Sequence, residues 1–94
     1  MHIGSMVWKN RAVTANATSS VLEITHLPTV TAMATTDQDV VIALEVSENG
    51  TDWFEAGTTV SGQTHHLTVT TAAKYARITV SDATTITAAL AAKG

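Results

Sequence analysis

The feature that most constrains the fold is a series of short runs in which apolar and polar residues alternate. The clearest run covers residues 40–47. On one face of this run lie Val40, Ile42, Leu44 and Val46. Successive side chains of a β-strand point to opposite sides of the sheet, so a period of two predicts a half-buried strand.

The same alternation recurs along the chain between residues that favour turns. The further runs are residues 20–26, 29–35, 65–71, 74–81 and 85–91. A less regular segment, residues 7–15, is interpreted as one strand plus an arm. Polar residues at 36–39 are interpreted as a turn. Short strands at this spacing, in a chain rich in Thr and Val, predict an all-β fold. We expect an antiparallel β-sandwich of about seven to eight strands, with a jelly roll as one variant.

One strand assignment has an alternative. Residues 84–93 contain enough Ala to allow a short helix. The β-branched residues at 84–87 lose side-chain freedom in a helix, so we favour a strand here.

A tight turn is predicted at Asn49-Gly50. Asn-Gly is the strongest short signal for a β-hairpin, because both residues tolerate a positive φ. The pair is therefore expected to join the preceding strand to a partner strand at residues 52–56. Beyond that strand, Gly57 and Gly62 are expected to bracket a loop or a short edge strand.

Composition limits the classes of function. The 94 residues form one small domain, with 45% hydrophobic residues, 14% charged residues and a net charge of −3. This is too apolar for a disordered chain and too weakly charged for a typical nucleic-acid binder. No apolar run approaches the roughly 18 residues of a membrane span, so no membrane partner is expected. Cysteine is absent, so a core this small is expected to gain buried surface by forming a homo-oligomer, for which we predict a trimer.

The first residues are interpreted as foreign to the natural protein. The sequence His2-Ile3-Gly4-Ser5 precedes a second methionine, Met6, and has no signal-peptide pattern. We predict that residues 1–5 are vector-derived and that residues 6–94 form a single β-sandwich domain.

Serine and histidine residues form no catalytic pattern in the sequence. A hydrolytic triad needs a nucleophile, a base and an orienting acid within hydrogen-bond reach. None of Ser47, Ser61 and Ser81 stands in a nucleophile-elbow sequence. His65 and His66 would point to opposite faces of a strand and could not chelate one ion, so we interpret them as a solvent-facing strand start. We therefore predict no enzymatic activity, no metal and no cofactor.

Two sequence motifs carry a resemblance to known proteins. Residues 47–53 form the pattern S-x-N-G-T-x-W, and residues 75–80 form the pattern Y-x-R-I-x-V. Together they resemble the discoidin or galactose-binding-like domains and the short β-sandwich proteins encoded among the structural genes of tailed bacteriophages. The phage group is the closer likeness over most of residues 7–93, because discoidin domains are longer and have extra strands.

The resemblance implies a non-enzymatic structural protein of a tailed phage or prophage. Such a protein would be a head-decoration, head-fibre or tail-associated subunit that self-assembles and docks on other particle proteins. It would be located in the virion after synthesis in the bacterial host cytoplasm. The alternative that the resemblance leaves open is a carbohydrate-binding module with a glycan as its partner.

The two functions assign different roles to the aromatic residues of the motifs. In one, Trp53 covers the open end of the sandwich, while Arg77 stacks on it or pairs with Glu45 or Glu55. In the other, Trp53 and Tyr75 form an exposed platform for a sugar, with Arg77 and Asp52 as its polar partners.

A second candidate interface lies near the N-terminus. Trp8 stands outside the clear alternation, beside Lys9, Asn10 and Arg11. Aromatic residues and Arg are enriched in protein interfaces, so Trp8 and Arg11 are candidates for docking on a partner subunit. Docking of Trp8 on its own sandwich is the equal alternative.

Overall fold

A single pair of long strands forms the frame of the molecule. The computed structural model describes all of residues 1–94 and contains seven strands and no helix. The strands are β1 (His2–Val13), β2 (Ala17–Thr18), β3 (Leu22–Glu23), β4 (Thr29–Ser47), β5 (Phe54–Thr70), β6 (Tyr75–Val80) and β7 (Thr84–Lys93). Every strand pair is antiparallel. The predicted all-β antiparallel fold is confirmed, and residues 84–93 are a strand.

The β4–β5 pair contributes to two layers. Residues 29–36 of β4 pair with β7, and β7 pairs in turn with β1. Residues 42–47 of β4 pair with β6, whose other side holds the short strands β2 and β3. On its other side β4 pairs with β5 along almost its whole length. The hydrogen-bonded sheet therefore folds over on itself. The first layer is β1-β7-β4-β5, and the second is β2/β3-β6-β4-β5, which together make a β-sandwich.

The core lies between these layers and consists of the inward side chains predicted by the alternation. Its fully buried large residues include Ile42, Leu44, Ile78, Val80, Ile86 and Leu90. Burying each such side chain contributes about 1.5–3 kcal/mol relative to leaving it in water. Because Val30 and Ala32 of the first layer face the same cluster, one continuous core serves both halves of β4.

The residues predicted as a turn at 36–39 are instead a bend within β4. Thr35 lies opposite Thr64 and Val40 opposite Gly62, so four residues of β4 face one residue of β5. The prediction of two separate strands here was wrong. The polar residues do interrupt the regular ladder, but the chain changes layer at this point and does not reverse.

Asp37 ties this bend to the start of β7. Its Oδ1 accepts hydrogen bonds from the Thr85 N–H and the Thr84 hydroxyl, both at 2.8 Å. These two donors favour the ionised carboxylate and lower the pKa of Asp37 below its ordinary value of 3.8, the Thr85 N–H having the larger effect.

The bend also explains the burial of His65, which we had predicted to face solvent. The His65 ring is only 2% exposed. Its Nδ1–H donates to the Val60 carbonyl at 3.1 Å, and its Nε2 lies 3.4 Å from the Thr36 hydroxyl. His66 points to the other face and is exposed. The solvent-facing interpretation is therefore wrong for His65 and holds for His66.

Two glycines that were expected to bracket a loop lie inside β5. Gly57 and Gly62 have φ values of 73° and 115°, which side chains disfavour. Both stand where the β4–β5 register is irregular. They let one strand continue through two local distortions where the sequence suggested a break.

The predicted strand at residues 20–26 is much shorter in the structure. Only Leu22–Glu23 pair with β6. His26 has a φ of 65°, and the Leu27 N–H donates to the Ile24 carbonyl at 2.8 Å, which makes a turn. This turn ends the strand before Pro28 is reached.

The N-terminal segment is a full strand, and this places Trp8. The indole is 7% exposed and belongs to the core cluster. It lies opposite Ala88 of β7. Of the two alternatives for Trp8, the structure shows packing of the ring on its own sandwich. The expectation that Trp8 docks on a partner subunit is corrected accordingly. Residues 2–5 also belong to β1, opposite residues 90–93, while their vector origin stays a prediction.

The fold contains no helix that is long and apolar enough to cross a membrane.

The first prediction concerns Gly57. Its φ of 73° disfavours any side chain, and an added Cβ would lie 2.6 Å from Cγ1 of Val69. Gly57→Ala should therefore lower the free energy of unfolding by about 1–3 kcal/mol, measured by urea denaturation. Gly4→Ala is the control, because its Cβ would meet nothing closer than 3.6 Å. Equal urea midpoints for the two variants would contradict the assigned conformation of Gly57.

The second prediction concerns pH. Because folding lowers the pKa of Asp37, its ionised form stabilises the fold at a pH above the unfolded-state pKa. That contribution is lost as the pH falls through the lower, folded-state pKa. The wild type should therefore lose more stability than Asp37→Asn between about pH 5 and about pH 2. Asp39→Asn removes the same charge from a side chain without a hydrogen bond in the fold and should follow the wild type.

Candidate functional site

The loop between β4 and β5 differs from the turn that the sequence predicted. β4 ends at Ser47 and β5 begins at Phe54, so six residues connect them. Of the predicted turn pair, only Gly50 has a positive φ, at 79°. The prediction of a two-residue primed turn was therefore wrong, although Gly50 does have the expected positive φ.

Asn49 shapes this loop with its side chain. Its Oδ1 accepts from the Thr51 N–H at 2.8 Å, the Asp52 N–H at 2.9 Å and the Ser47 hydroxyl at 3.2 Å. Its Nδ2 donates to the Asp52 carboxylate at 2.9 Å. The Ser47 hydroxyl in turn accepts from the Gly50 N–H at 2.8 Å. Asn side chains that bond to the backbone two residues on are typical of turns, and here they hold the whole loop in one shape.

Arg77 stands beside the loop on the outer face of the second layer. It comes from β6 and lies opposite Glu45 of β4. Its Nε donates to Glu45 Oε1 at 2.8 Å, and its guanidinium carbon lies 4.2 Å from the centre of the Trp53 ring. Both contacts that the sequence suggested for Arg77 are thus present together. Glu55 is the residue of β5 opposite Glu45.

These groups line an open groove, which we call the Arg77 groove. Its volume is about 590 Å³. The lining residues are Glu45, Glu48, Asn49, Thr51, Asp52, Trp53, Phe54 and Arg77. A second depression of about 340 Å³ shares Glu45 and Arg77 and continues over the outer face of the same layer. Its lining adds the acidic Glu55 and the neutral polar residues Asn16, Thr18, Thr59, Thr79 and Ser81.

The Arg77 groove combines a fixed guanidinium with aromatic surface. The side chains of Arg77 and Glu45 are 23% and 24% exposed, so their ion pair is partly shielded from water. The stacked ring and the carboxylate hold the guanidinium in one orientation. The lining contributes the Arg77 guanidinium and the carboxylates of Glu45, Glu48 and Asp52, and Lys74 outside the lining pairs with Glu48 at 3.5 Å. Two cations therefore stand against three carboxylates, and the groove does not favour an anionic ligand. It suits a neutral polar ligand, or a protein surface that offers hydrogen-bond donors and a basic side chain.

The structure brings three of the six predicted site residues together. Asp52, Trp53 and Arg77 all line the Arg77 groove. Tyr75 lies under the loop, where a Cβ on Gly50 would be 3.8 Å from its ring, and it is not part of the lining. Of the expected platform of Trp53 and Tyr75, the Arg77 groove therefore contains only Trp53.

The N-terminal candidates lie elsewhere. Arg11 is exposed in β1, opposite Ile86 in the first layer, and is not near the groove. Trp8 is in the core.

The predicted site residues did not include Phe54, which is 67% exposed beside the half-buried Trp53. The adjacent aromatic pair nevertheless indicates from the sequence that only one of the two rings can point fully inward. Two neighbouring strand residues face opposite ways, so one of the two rings had to leave the core.

The comparisons with known proteins concern the fold. No protein-family model and no curated protein sequence matches the chain. Among solved structures, the SPBc2 prophage-derived protein YomS superposes with a TM-score of 0.78 at 10% identity, covering 98% of this chain and 92% of that one. The PBSX exported protein XepA superposes with a TM-score of 0.74 at 15% identity. That match covers 98% of this chain but only 37% of XepA.

A carbohydrate-binding protein shares the fold at lower similarity. The family 29 carbohydrate-binding module CBM29_1 from Piromyces equi superposes with a TM-score of 0.54 at 12% identity, covering 99% of this chain and 91% of that one. The similarity to both groups agrees with the resemblance found in the sequence. At identities this low the likeness establishes the β-sandwich fold that these proteins have in common.

The third prediction concerns the loop. Asn49→Ala removes the acceptor of two backbone N–H groups and of the Ser47 hydroxyl. It should lower the free energy of unfolding by about 1–2 kcal/mol, measured by denaturation. Thr51→Ala is the control, since the Thr51 hydroxyl makes no hydrogen bond in the fold, and it should change stability little. A loss in the control as large as in Asn49→Ala would show that Asn49 does not organise the loop.

Proposed function

We propose that this chain is a non-enzymatic structural protein of a tailed phage or prophage particle. It acts as a head-decoration, fibre or tail-associated subunit through self-assembly and docking on other particle proteins. The observation that carries the proposal is the superposition on YomS, a prophage-derived protein, across 98% of this chain and 92% of YomS. The likeness thus extends over nearly the whole length of both chains. A particle protein of this kind is made in the bacterial host cytoplasm and becomes part of the virion.

The chemistry of the Arg77 groove supports docking on a protein. Interfaces are enriched in aromatic residues and Arg, and their energetic centres combine both. Here Phe54 presents an exposed ring beside the Arg77–Trp53 stack. The hydroxyl of Ser47, one candidate nucleophile, is bonded to Asn49 and Gly50, and that of Ser81 to Asp82 and the Val41 N–H. The hydrogen bonds of these two hydroxyls therefore hold the turns next to the groove and its neighbouring depression in shape.

The fourth prediction tests the particle role. Tailed particles are purified on a density gradient from the strain that carries the gene, and their proteins are identified by mass spectrometry. The chain should band with the particles. A double variant, Phe54→Ser with Arg77→Ala, should band much less than the wild type because it removes the exposed ring and the stacked guanidinium. Arg11→Ala, on the first layer, should band normally.

One result would contradict the particle role: the wild-type chain would stay with the soluble proteins of the lysate. A second result, equal banding of the three proteins, concerns the groove. The second result would leave the particle role standing and would exclude the groove as the docking surface.

Carbohydrate binding is the second candidate function, and one feature of the surface favours it. The Arg77 groove joins a depression lined by Asn and Thr side chains, whose amides and hydroxyls can exchange hydrogen bonds with sugar hydroxyls. Trp53 is half-buried at this junction. The fold is also that of CBM29_1.

The fifth prediction separates the two functions with Trp53→Ala. Because the ring is half-buried and stacked on Arg77, its loss should cost about 1–3 kcal/mol, less than the ~3–5 kcal/mol of a fully buried tryptophan. The wild type should give no signal on a glycan array if docking is its function. A glycan signal that Trp53→Ala abolishes and Arg11→Ala retains would replace the particle proposal with the carbohydrate-binding module.

A further inference from the structure

The edges of the two layers are protected unequally. An edge strand offers unpaired backbone groups to other chains, and proteins usually block it with charges, Pro, bulges or very short strands. The β1 edge has two register irregularities and carries Lys9 and Arg11. The opposite edge of the second layer is divided into β2 and β3, each only two residues long. The first part of β5 is distorted at Gly57 and Gly62.

The remaining edge, residues 64–70 of β5, has none of these devices. Its sequence, Thr-His-His-Leu-Thr-Val-Thr, contains no acidic residue, Lys, Arg, Pro or Gly. It pairs with β4 without a shift from Thr35 opposite Thr64 to Thr29 opposite Thr70. β5 has no other strand partner, and none of the backbone hydrogen bonds outside the strands involves these residues. We call this segment the open edge.

We propose that the open edge pairs with the open edge of a second copy of this chain. The pairing is antiparallel about a two-fold axis at Leu67. In this register residue 64 lies opposite residue 70, and residue 66 lies opposite residue 68. Only a pairing centred on Leu67 uses all seven residues of the segment.

Self-pairing fits the side chains of the open edge. On its exposed face the register places Thr64 opposite Thr70 and His66 opposite Thr68, and hydroxyl-bearing partners stabilise neighbouring strands. The same face already contains a Thr–Thr contact within the chain, between the Thr31 and Thr68 hydroxyls at 3.0 Å.

Charge favours the open edge over other surfaces as the contact between two copies. Each chain has a net charge of −3, so two copies repel each other over most surfaces. The open edge carries no acidic group, and pairing there keeps like charges away from the contact.

This inference rests on the self-assembly in the proposed function and changes its expected symmetry. The sequence prediction of a trimer rested on the small cysteine-free core together with Trp8 on a terminal arm, and the second of these supports is removed because Trp8 is buried in the core. Edge pairing instead joins the first layers of two copies into one sheet of β1-β7-β4-β5 followed by β5-β4-β7-β1. We therefore expect a two-fold dimer.

Disulfide cross-linking tests the register. Because the chain contains no cysteine, only the introduced cysteines can form disulfides. His66→Cys and Thr68→Cys are prepared as separate variants, mixed and oxidised. Opposite residues have Cα atoms about 4.5–5.5 Å apart, within disulfide range, whereas diagonal neighbours are about 7–8 Å apart. The mixture should therefore give at least about tenfold more cross-linked dimer than either variant alone. A mixture of Thr58→Cys with Thr68→Cys should not cross-link. Equal yields in all samples would overturn the proposed register.

Light scattering tests the surface itself. The wild-type mass should rise from 9.8 kDa towards twice that value as the concentration increases. Thr68→Lys puts a charge on the open edge and should weaken the dimer by at least about tenfold. Thr58→Lys, an exposed site in the distorted part of the same strand, should leave it unchanged. Circular dichroism checks that both variants keep the fold.

The outcomes separate this inference from the proposed function. An oligomer that Thr68→Lys leaves intact would overturn the open-edge pairing while self-assembly stands. A wild-type mass near 9.8 kDa from micromolar to millimolar concentration would overturn both the pairing and self-assembly. Banding of the chain with purified particles depends on neither result, so the particle role is tested separately.

Discussion

The β4–β5 pair is the constraint on which the rest of the structure depends, because one hydrogen-bonded ribbon belongs to both layers. The ribbon can change layer only if its two strands absorb different lengths of chain, and β4 has four residues at the bend where β5 has one. Asp37 fixes the bend to the start of β7, and the buried His65 ring spans from Thr36 to the Val60 carbonyl. These polar contacts tie the bend to β5 and β7.

The Arg77 groove follows from the same ribbon. Beyond the bend, β4 lies between β5 and β6, so Glu45 has Glu55 on one side and Arg77 on the other. The ribbon ends at the loop of residues 48–53, whose shape depends on Asn49. This loop carries Trp53 over the guanidinium. The site therefore combines a rigid sheet, which sets the positions of the charged side chains, with a loop whose shape is held by side-chain hydrogen bonds.

The alternation in the sequence predicted the core because burial between two sheets depends on the period of two alone. Ile42, Ile78 and Leu90 could be placed inward without knowledge of their partners. The bend at 36–39 could not be distinguished from a turn, since polar residues interrupt a ladder in either case. The burial of His65 depends on the Thr36 hydroxyl and the Val60 carbonyl, which only the folded ribbon brings together. Asn49-Gly50 does not form the predicted two-residue turn, because the Asn49 side chain hydrogen-bonds to the backbone within a longer, six-residue loop.

The two surfaces that the structure presents lie on different layers, and the distortions of β5 separate them. The Arg77 groove belongs to the second layer and its loop, whereas the open edge belongs to the first layer. Gly57 and Gly62 stand between them on the same strand, with positive φ values that interrupt the regular edge. A partner strand that follows the open edge therefore stops before the groove. In the proposed dimer one copy pairs with a second copy through the first layer while its groove stays free to contact a different protein, as the proposed particle role requires.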